Sequence, residues 1–295
     1  MRFASLPCVL CFISLFLCPT GVVRAESPIE IEPGQRIAFV GNSTAERMNL
    51  FGHFETRLQH RFFHLSPHVR NFAWPGDEVS VRQRPGNYDK IDDPFLVDAP
   101  NLLICFFGFN ESFRGDSPET LKQFKVDYGN YVAEQTKRLS ELGTKPRFVI
   151  VSPLAFESTG NPLQPDGELE NRRLQAYANA AEEFAHENDF PFADLFTPTL
   201  KRFSEQPGAQ YTINGIHLNE AGDSLMAELL DKALFGDAKA QDPDSYEALR
   251  EVVVDKSWLH QQDYRMLNGW YVYGGRRTWD TETFPNEFQK IRKMV

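Results

Sequence analysis

Apolar positions along the chain fall into short unbroken runs, separated by longer stretches in which they recur every three or four residues. The runs are "RIAFVG" (36–41), "VRNFAW" (69–74), "NLLICFFG" (101–108), "RFVIVSP" (147–153) and "FPFADLF" (190–196). Near-continuous hydrophobicity of this kind is what a strand buried on both faces needs. After the first run, Met48, Phe51, Phe54, Leu58 and Phe62 share one helical face. After the third, Ser117 and Pro118 read as N-cap and first helical position, and Gly143 as the stop. Further helices are expected over about 168–187 and 219–234. Strands alternating with helices predict an α/β domain, a three-layer α/β/α sandwich around a flavodoxin-like parallel sheet of about five strands. In such sheets the functional groups gather at the carboxyl ends of the strands.

Both ends of the chain depart from this pattern and divide it into three units. Residues 1–25 combine an early Arg2, an apolar run from Leu6 to Leu17, and Val23 and Ala25 at the small-residue positions before a cut. That is the form of a secretory signal peptide, and it predicts an exported protein, periplasmic or extracellular. Residues 26–236 form the α/β domain. Residues 237–295 are an extension, with a polar linker, helical "YEALREVVVDKSWLHQQDYRML" and aromatic "NGWYVYGGRRTW". It holds three of the four tryptophans, and its rings suit either packing on the main domain or a sugar- or partner-docking surface.

Composition narrows the function classes. Removing residues 1–25 takes away Arg2 and Arg24 and no acid, so 31 basic side chains become 29 against 41 acidic ones, a formal charge of −12. Such a surface repels nucleic acid and anionic lipid. No later run approaches the roughly 20 apolar residues of a membrane span, so no stable membrane insertion is expected. Cys8, Cys11 and Cys18 leave with the leader, and Cys105 alone cannot form an internal disulfide.

Four stretches beside predicted strand ends carry side chains suited to chemistry. "GNS" places Ser43 at the mouth of a helix, where the macrodipole favours developing negative charge. "NFAWPGD" offers Gly76, whose backbone N–H has no side chain in its way, and "FFGFNES" offers the amide of Asn110. "INGIHLNEAG" puts His217 in a loop just before a helix.

In this order and spacing the four stretches resemble the sequence blocks of the SGNH hydrolases, the GDSL-type esterases, over about Arg36 to Leu234. The resemblance implies acyl transfer, with Ser43 as nucleophile and His217 as general base. The Ser43 and Gly76 amides and the Asn110 side chain would form the oxyanion hole. It implies no metal and no cofactor, and a small ester or acetylated carbohydrate as substrate. A lipid or thioester substrate, or a silent carbohydrate-binding or scaffold protein on the same fold, stands as the alternative.

Two positions depart from the family pattern. Asn42 stands where Asp is usual, a mild change because Asn also tolerates tight turns. Asn214 stands where the acid of Asp-x-x-His is usual, and it can orient His217 without supplying charge. Either a Ser-His dyad steadied by Asn214, or another carboxylate such as Asp77, Glu111 or Glu220, would then serve. His60, His64 and His68 recur every four residues, but Pro67 interrupts a helical metal-binding face.

Overall fold

The computed structural model describes residues 28–84, 93–205, 210–237 and 242–265. The N-terminal stretch read as a signal peptide, the aromatic stretch from Asn268 and the last residues lie outside the described residues. Five parallel strands, β1 (Arg36–Gly41), β2 (His68–Asn71), β3 (Leu102–Phe106), β4 (Arg147–Val151) and β5 (Phe192–Ala193), form one sheet in the order β2-β1-β3-β4-β5. This is the flavodoxin-like order, and its switch point lies between β1 and β3.

Alternation along the strands explains the two faces of the sheet. Ala38, Val40, Leu103, Cys105, Phe148 and Ile150 pack in one cluster with Phe124, Tyr128 and Tyr131 of α4 (Pro118–Ser140) and Tyr177, Ala181 and Phe184 of α5 (Glu168–Glu187). Ile37, Phe39, Ile104 and Val149 point the other way. They meet Ala45 and Met48 of α1 (Ser43–Phe51), Phe54 and Leu58 of α2 (His53–Phe62), and Met226 and Leu230 of α7 (Glu220–Phe235). Cys105 is fully buried in the first cluster, where burial pushes its thiol far above the ordinary range.

Local departures from the sequence expectation have local causes. The single helical face from Met48 to Phe62 is two helices, because Gly52 adopts φ +71 and breaks the run after Phe51. The fifth run is a strand for only two residues: Leu195 and Phe196 donate their backbone N–H groups to Ser152 Oγ, and the chain turns into α6 (Phe196–Glu205). Helix α4 ends at Ser140, before Gly143, while Ser117 caps it from the expected place through Thr120 N–H. A short helix, α3 (Pro94–Asp98), precedes β3.

Past the α/β domain, α8 (Pro243–Tyr264) packs against α1, α2 and β2. It covers the open side of β2, an edge strand with unpaired backbone groups. Lys256 Nζ donates to Val69 O at 3.0 Å, and Tyr264 Oη to Phe72 O at 2.7 Å. His260 Nε2 lies 3.0 Å from Asn71 O, so this nitrogen carries the proton. Burial and the nearby Arg70 and Lys256 charges drive the His260 pKa down to about 3. Lys256 and His260 thus satisfy outward-facing carbonyls that a sixth strand would otherwise have taken, while the Phe72 backbone, whose N–H bonds Phe39 O, faces β1.

Candidate active site

Ser43 is the first residue of α1 and is largely buried, directly beyond β1. Gly41 makes the sharp strand-to-helix transition possible. It has φ +132, and a Cβ there would sit 2.1 Å from Phe106 O. Asn42 caps the helix, its Oδ1 accepting Thr44 N–H at 3.0 Å, while Asn42 N–H continues the ladder to Phe106 O. An acceptor is all that position needs, which explains why Asn can stand where Asp is usual.

The Gly76 loop is tied to both neighbouring strand ends. Trp74 N–H donates to Gly41 O at 2.9 Å, and Asn110 Nδ2 donates to Asp77 O at 2.9 Å. Gly76 itself has φ +83 and open space where a Cβ would be. One proton of the Asn110 amide is thereby committed, and the second is left for other work.

His217 lies on the loop before α7. Helix α1 is fastened to this loop by Arg47, whose Nε and Nη2 donate to Leu218 O at 3.2 and 2.9 Å. Asn219 Oδ1 caps α7 through Gly222 N–H, and a Cβ on Gly222 would meet Tyr211 O at 2.0 Å. The spacing in "HLNEAG" is therefore that of a ring, a helix cap and a close backbone crossing. Burial and the Arg47 charge hold the His217 pKa below its ordinary value, against an opposing pull from Glu46. The ring is thus largely neutral at pH 7, the state a general base requires.

Asn214 is the direct partner of that ring. Its Oδ1 accepts His217 N–H at 3.0 Å and lies 3.1 Å from Nδ1, while its Nδ2 lies 3.0 Å from the same Nδ1. A carboxylate would only accept here and would force the Nδ1–H tautomer. An amide presents an acceptor and a donor at nearly equal distance, so it holds the ring in place without fixing the proton.

A family model for the GDSL-like lipase/acylhydrolase family matches residues 39–225. The chain belongs to that family. It is accordingly a carboxylic ester hydrolase. Among curated proteins none matches the chain. Among solved structures, a GDSL-like lipase candidate from Parabacteroides merdae aligns with a TM-score of 0.55 at 15% identity, covering 70% of this chain and 99% of that one. The acetylxylan esterase Axe2 from Geobacillus stearothermophilus aligns with a TM-score of 0.51 at 14% identity, over 70% of this chain and 96% of its own. A gut microbial diltiazem-metabolizing enzyme gives a TM-score of 0.54 at 22% identity, over 72% of this chain and 49% of its own. At these identities the likeness concerns the fold.

Within the hydrolase, the three carboxylates considered as substitutes for the missing acid are engaged elsewhere. Asp77 is gripped by Arg84 through two parallel bonds of 2.8 and 2.7 Å, and burial still raises its pKa. Glu220 pairs with Arg250 at 3.2 Å. Glu111, nearly inaccessible, accepts Val79 N–H at 2.9 Å and Gly108 N–H at 2.8 Å, and burial raises it to about 7. It is a clamp that joins the Gly76 and Asn110 loops.

A second clamp escaped the sequence reading. Glu157, also buried, accepts from Tyr211 N (2.8 Å), Thr212 N (2.7 Å) and Thr212 Oγ1 (2.6 Å). Its own N–H donates to Gly215 O, and Thr212 Oγ1 in turn accepts Gly215 N–H. Glu157 thus sets the turn that carries Asn214. Its signal in the sequence is an acid directly after the apolar "SPLAF". Among the described residues no cluster of His, Cys, Asp and Glu could hold a metal ion.

Proposed function

We propose that the protein is an exported serine esterase that removes small acyl groups, O-acetyl first, from carbohydrate. The observation that carries this reading is the Asn214–His217 pair on a loop that Arg47 fastens to the helix beginning at Ser43. Ser43 Oγ attacks the ester carbonyl while His217 Nε2 takes its proton. The tetrahedral oxyanion is met by the Ser43 and Gly76 N–H groups and the uncommitted Asn110 amide proton. Collapse expels the alcohol, which receives the proton from His217. Water, deprotonated by the same nitrogen, then releases the acid and restores Ser43.

Export is supported by the leader sequence. Carbohydrate as the substrate is supported by the likeness to an acetylxylan esterase and by the acidic surface. No helix among the described residues is long and apolar enough to cross a membrane. The test is labelling of the mature chain with a fluorophosphonate, which reacts only with an activated hydroxyl. Labelled wild type with unlabelled Ser43→Ala supports the reading. No labelling of either favours the silent carbohydrate-binding protein, toward which the uncharged Asn214 points.

A further inference from the structure

The Gly76 N–H reaches the site from a four-residue turn that is held from two sides. Asp77 N–H donates to Trp74 O at 3.1 Å, with Pro75 and Gly76 at the two corners and Gly76 at φ +83. Pro at the first corner and Gly at the second are the residues a type II turn asks for. The peptide between them carries the Gly76 N–H, and Trp74 at the head of the turn sets where it points. Asp77 O in the same turn holds the Asn110 amide at 2.9 Å, so two of the three oxyanion donors follow it. From within the α/β domain the turn is tied by Trp74 N–H to Gly41 O and by the Arg84–Asp77 pair. From outside it meets the last turn of α8, beyond the family match at residue 225. Tyr264, nearly inaccessible, donates to Phe72 O and sets its ring edge-on to both Phe72 and Trp74, with centroids 5.2 and 5.5 Å apart. Arg265, whose N–H still bonds Gln261 O, lies over the Trp74 ring, 4.6 Å from its centroid. It also pairs with Glu46 of α1, the helix that begins at Ser43.

We propose that Tyr264 and Arg265, at the end of α8, are positioning residues of the hydrolase: by seating the Trp74 ring they hold the Trp74–Asp77 turn where the Gly76 and Asn110 donors meet the oxyanion. The proposal rests on the Ser43–His217 reading above. Neither side chain touches a reacting atom. Edge-on ring pairs and guanidinium–indole contacts depend on orientation, so together they resist a tilt of the ring. Arg265 spans from Trp74 to Glu46, and so fixes the turn relative to the helix that presents Ser43, the spacing on which acyl transfer depends. Helix α8 then has two duties: it closes the sheet edge, and its last turn sets the oxyanion donors in register with the nucleophile.

The test uses residues 26–295 and reads kcat and KM for p-nitrophenyl acetate at a temperature where melting shows each variant to be folded. Arg265→Gln takes the guanidinium off the ring, and Tyr264→Leu removes both the hydroxyl and the ring edge. Losing an oxyanion donor outright typically costs about 100-fold to 1000-fold and a displaced donor costs less, so each variant should lower kcat by roughly fivefold to fiftyfold with KM nearly unchanged. Tyr264→Phe keeps the ring against Trp74 and should retain most of the wild-type kcat. Tyr246→Phe loosens the opposite end of α8, where Tyr246 Oη lies 2.9 Å from His53 Nδ1. It should lower the melting temperature and leave kcat unchanged. Unchanged kcat in either folded variant, Arg265→Gln or Tyr264→Leu, overturns the proposal, and so does an equal fall of kcat in Tyr246→Phe. A wild-type chain no faster than Ser43→Ala overturns the Ser43–His217 reading instead, and this role with it.

Discussion

The two loops that flank Ser43 are each fixed by a buried glutamate, and the two are fixed differently. On the oxyanion side, Glu111 joins two segments by taking one backbone N–H from each, and Arg84 and Asp77 lock the same loop from outside. On the histidine side, Glu157 takes two amides and a hydroxyl from adjacent residues and passes order on to Gly215 through Thr212. The first wall ties its two segments to a single carboxylate. The second fixes the position of a ring but leaves its proton to an amide. Under the proposed mechanism, the geometry is strong where the electrostatics of the base are weak, and Asn214 is where the limit on rate is expected.

The largest effect is expected from breaking the histidine wall. Glu157→Ala leaves three donors unpaired in a buried site and lets the Asn214 turn drift. A misplacement of about 1 Å is enough to cost roughly 100-fold in rate, so kcat should fall at least that far, together with the melting temperature. Steady-state kinetics and calorimetry check both. Next comes a gain. Asn214→Asp fixes the Nδ1–H tautomer and adds charge. The reverse change in a serine protease cost about 10⁴, so kcat should rise, by roughly tenfold to a hundredfold. An unchanged kcat would mean that the proton on His217 was never in question.

Loosening the oxyanion wall should cost less. Glu111→Gln keeps the shape but has only one acceptor for two N–H groups, and kcat should drop about tenfold with KM nearly constant. Because burial raises Glu111 to about 7, the carboxylate that accepts both amides is lost as pH falls through that value. The wild-type kcat profile should show an ionisation near there that Glu111→Gln lacks.

The smallest effect lies outside both walls. With its pKa depressed to about 3, His260 contributes stability that is present above its unfolded value near 6.5 and is lost progressively as pH falls toward 3. His260→Gln retains a donor for Asn71 O and should melt with a shallower dependence between pH 7 and 5, a difference of about 2 kcal/mol. Equal slopes would remove His260 as the source.

Much of the fold was legible because its determinants are local. Strands buried on both faces read as apolar runs, and caps such as Ser117 and Asn219 stand beside the helices they start. The four site segments were legible for the same reason: each sits at a strand end or a helix mouth. What the pattern missed depends on contacts between distant residues. The short β5 is set by Ser152, a residue just past the end of β4. Glu157 and Glu111 look like surface acids until the loops close around them. Glu46 is one turn from Ser43 and readable as such, but its tie to Arg265 joins residues 219 positions apart. The Gly52 break was visible as a glycine between two apolar helical turns, and the continuous face of the helix concealed it.

The central claim is that Ser43 and His217 perform acyl transfer. The most direct measurement is hydrolysis of p-nitrophenyl acetate by residues 26–295 beside Ser43→Ala and His217→Ala. Turnover in wild type that both substitutions abolish, with an acid limb below the ordinary histidine value, is the predicted result. Equal rates in all three proteins would contradict it.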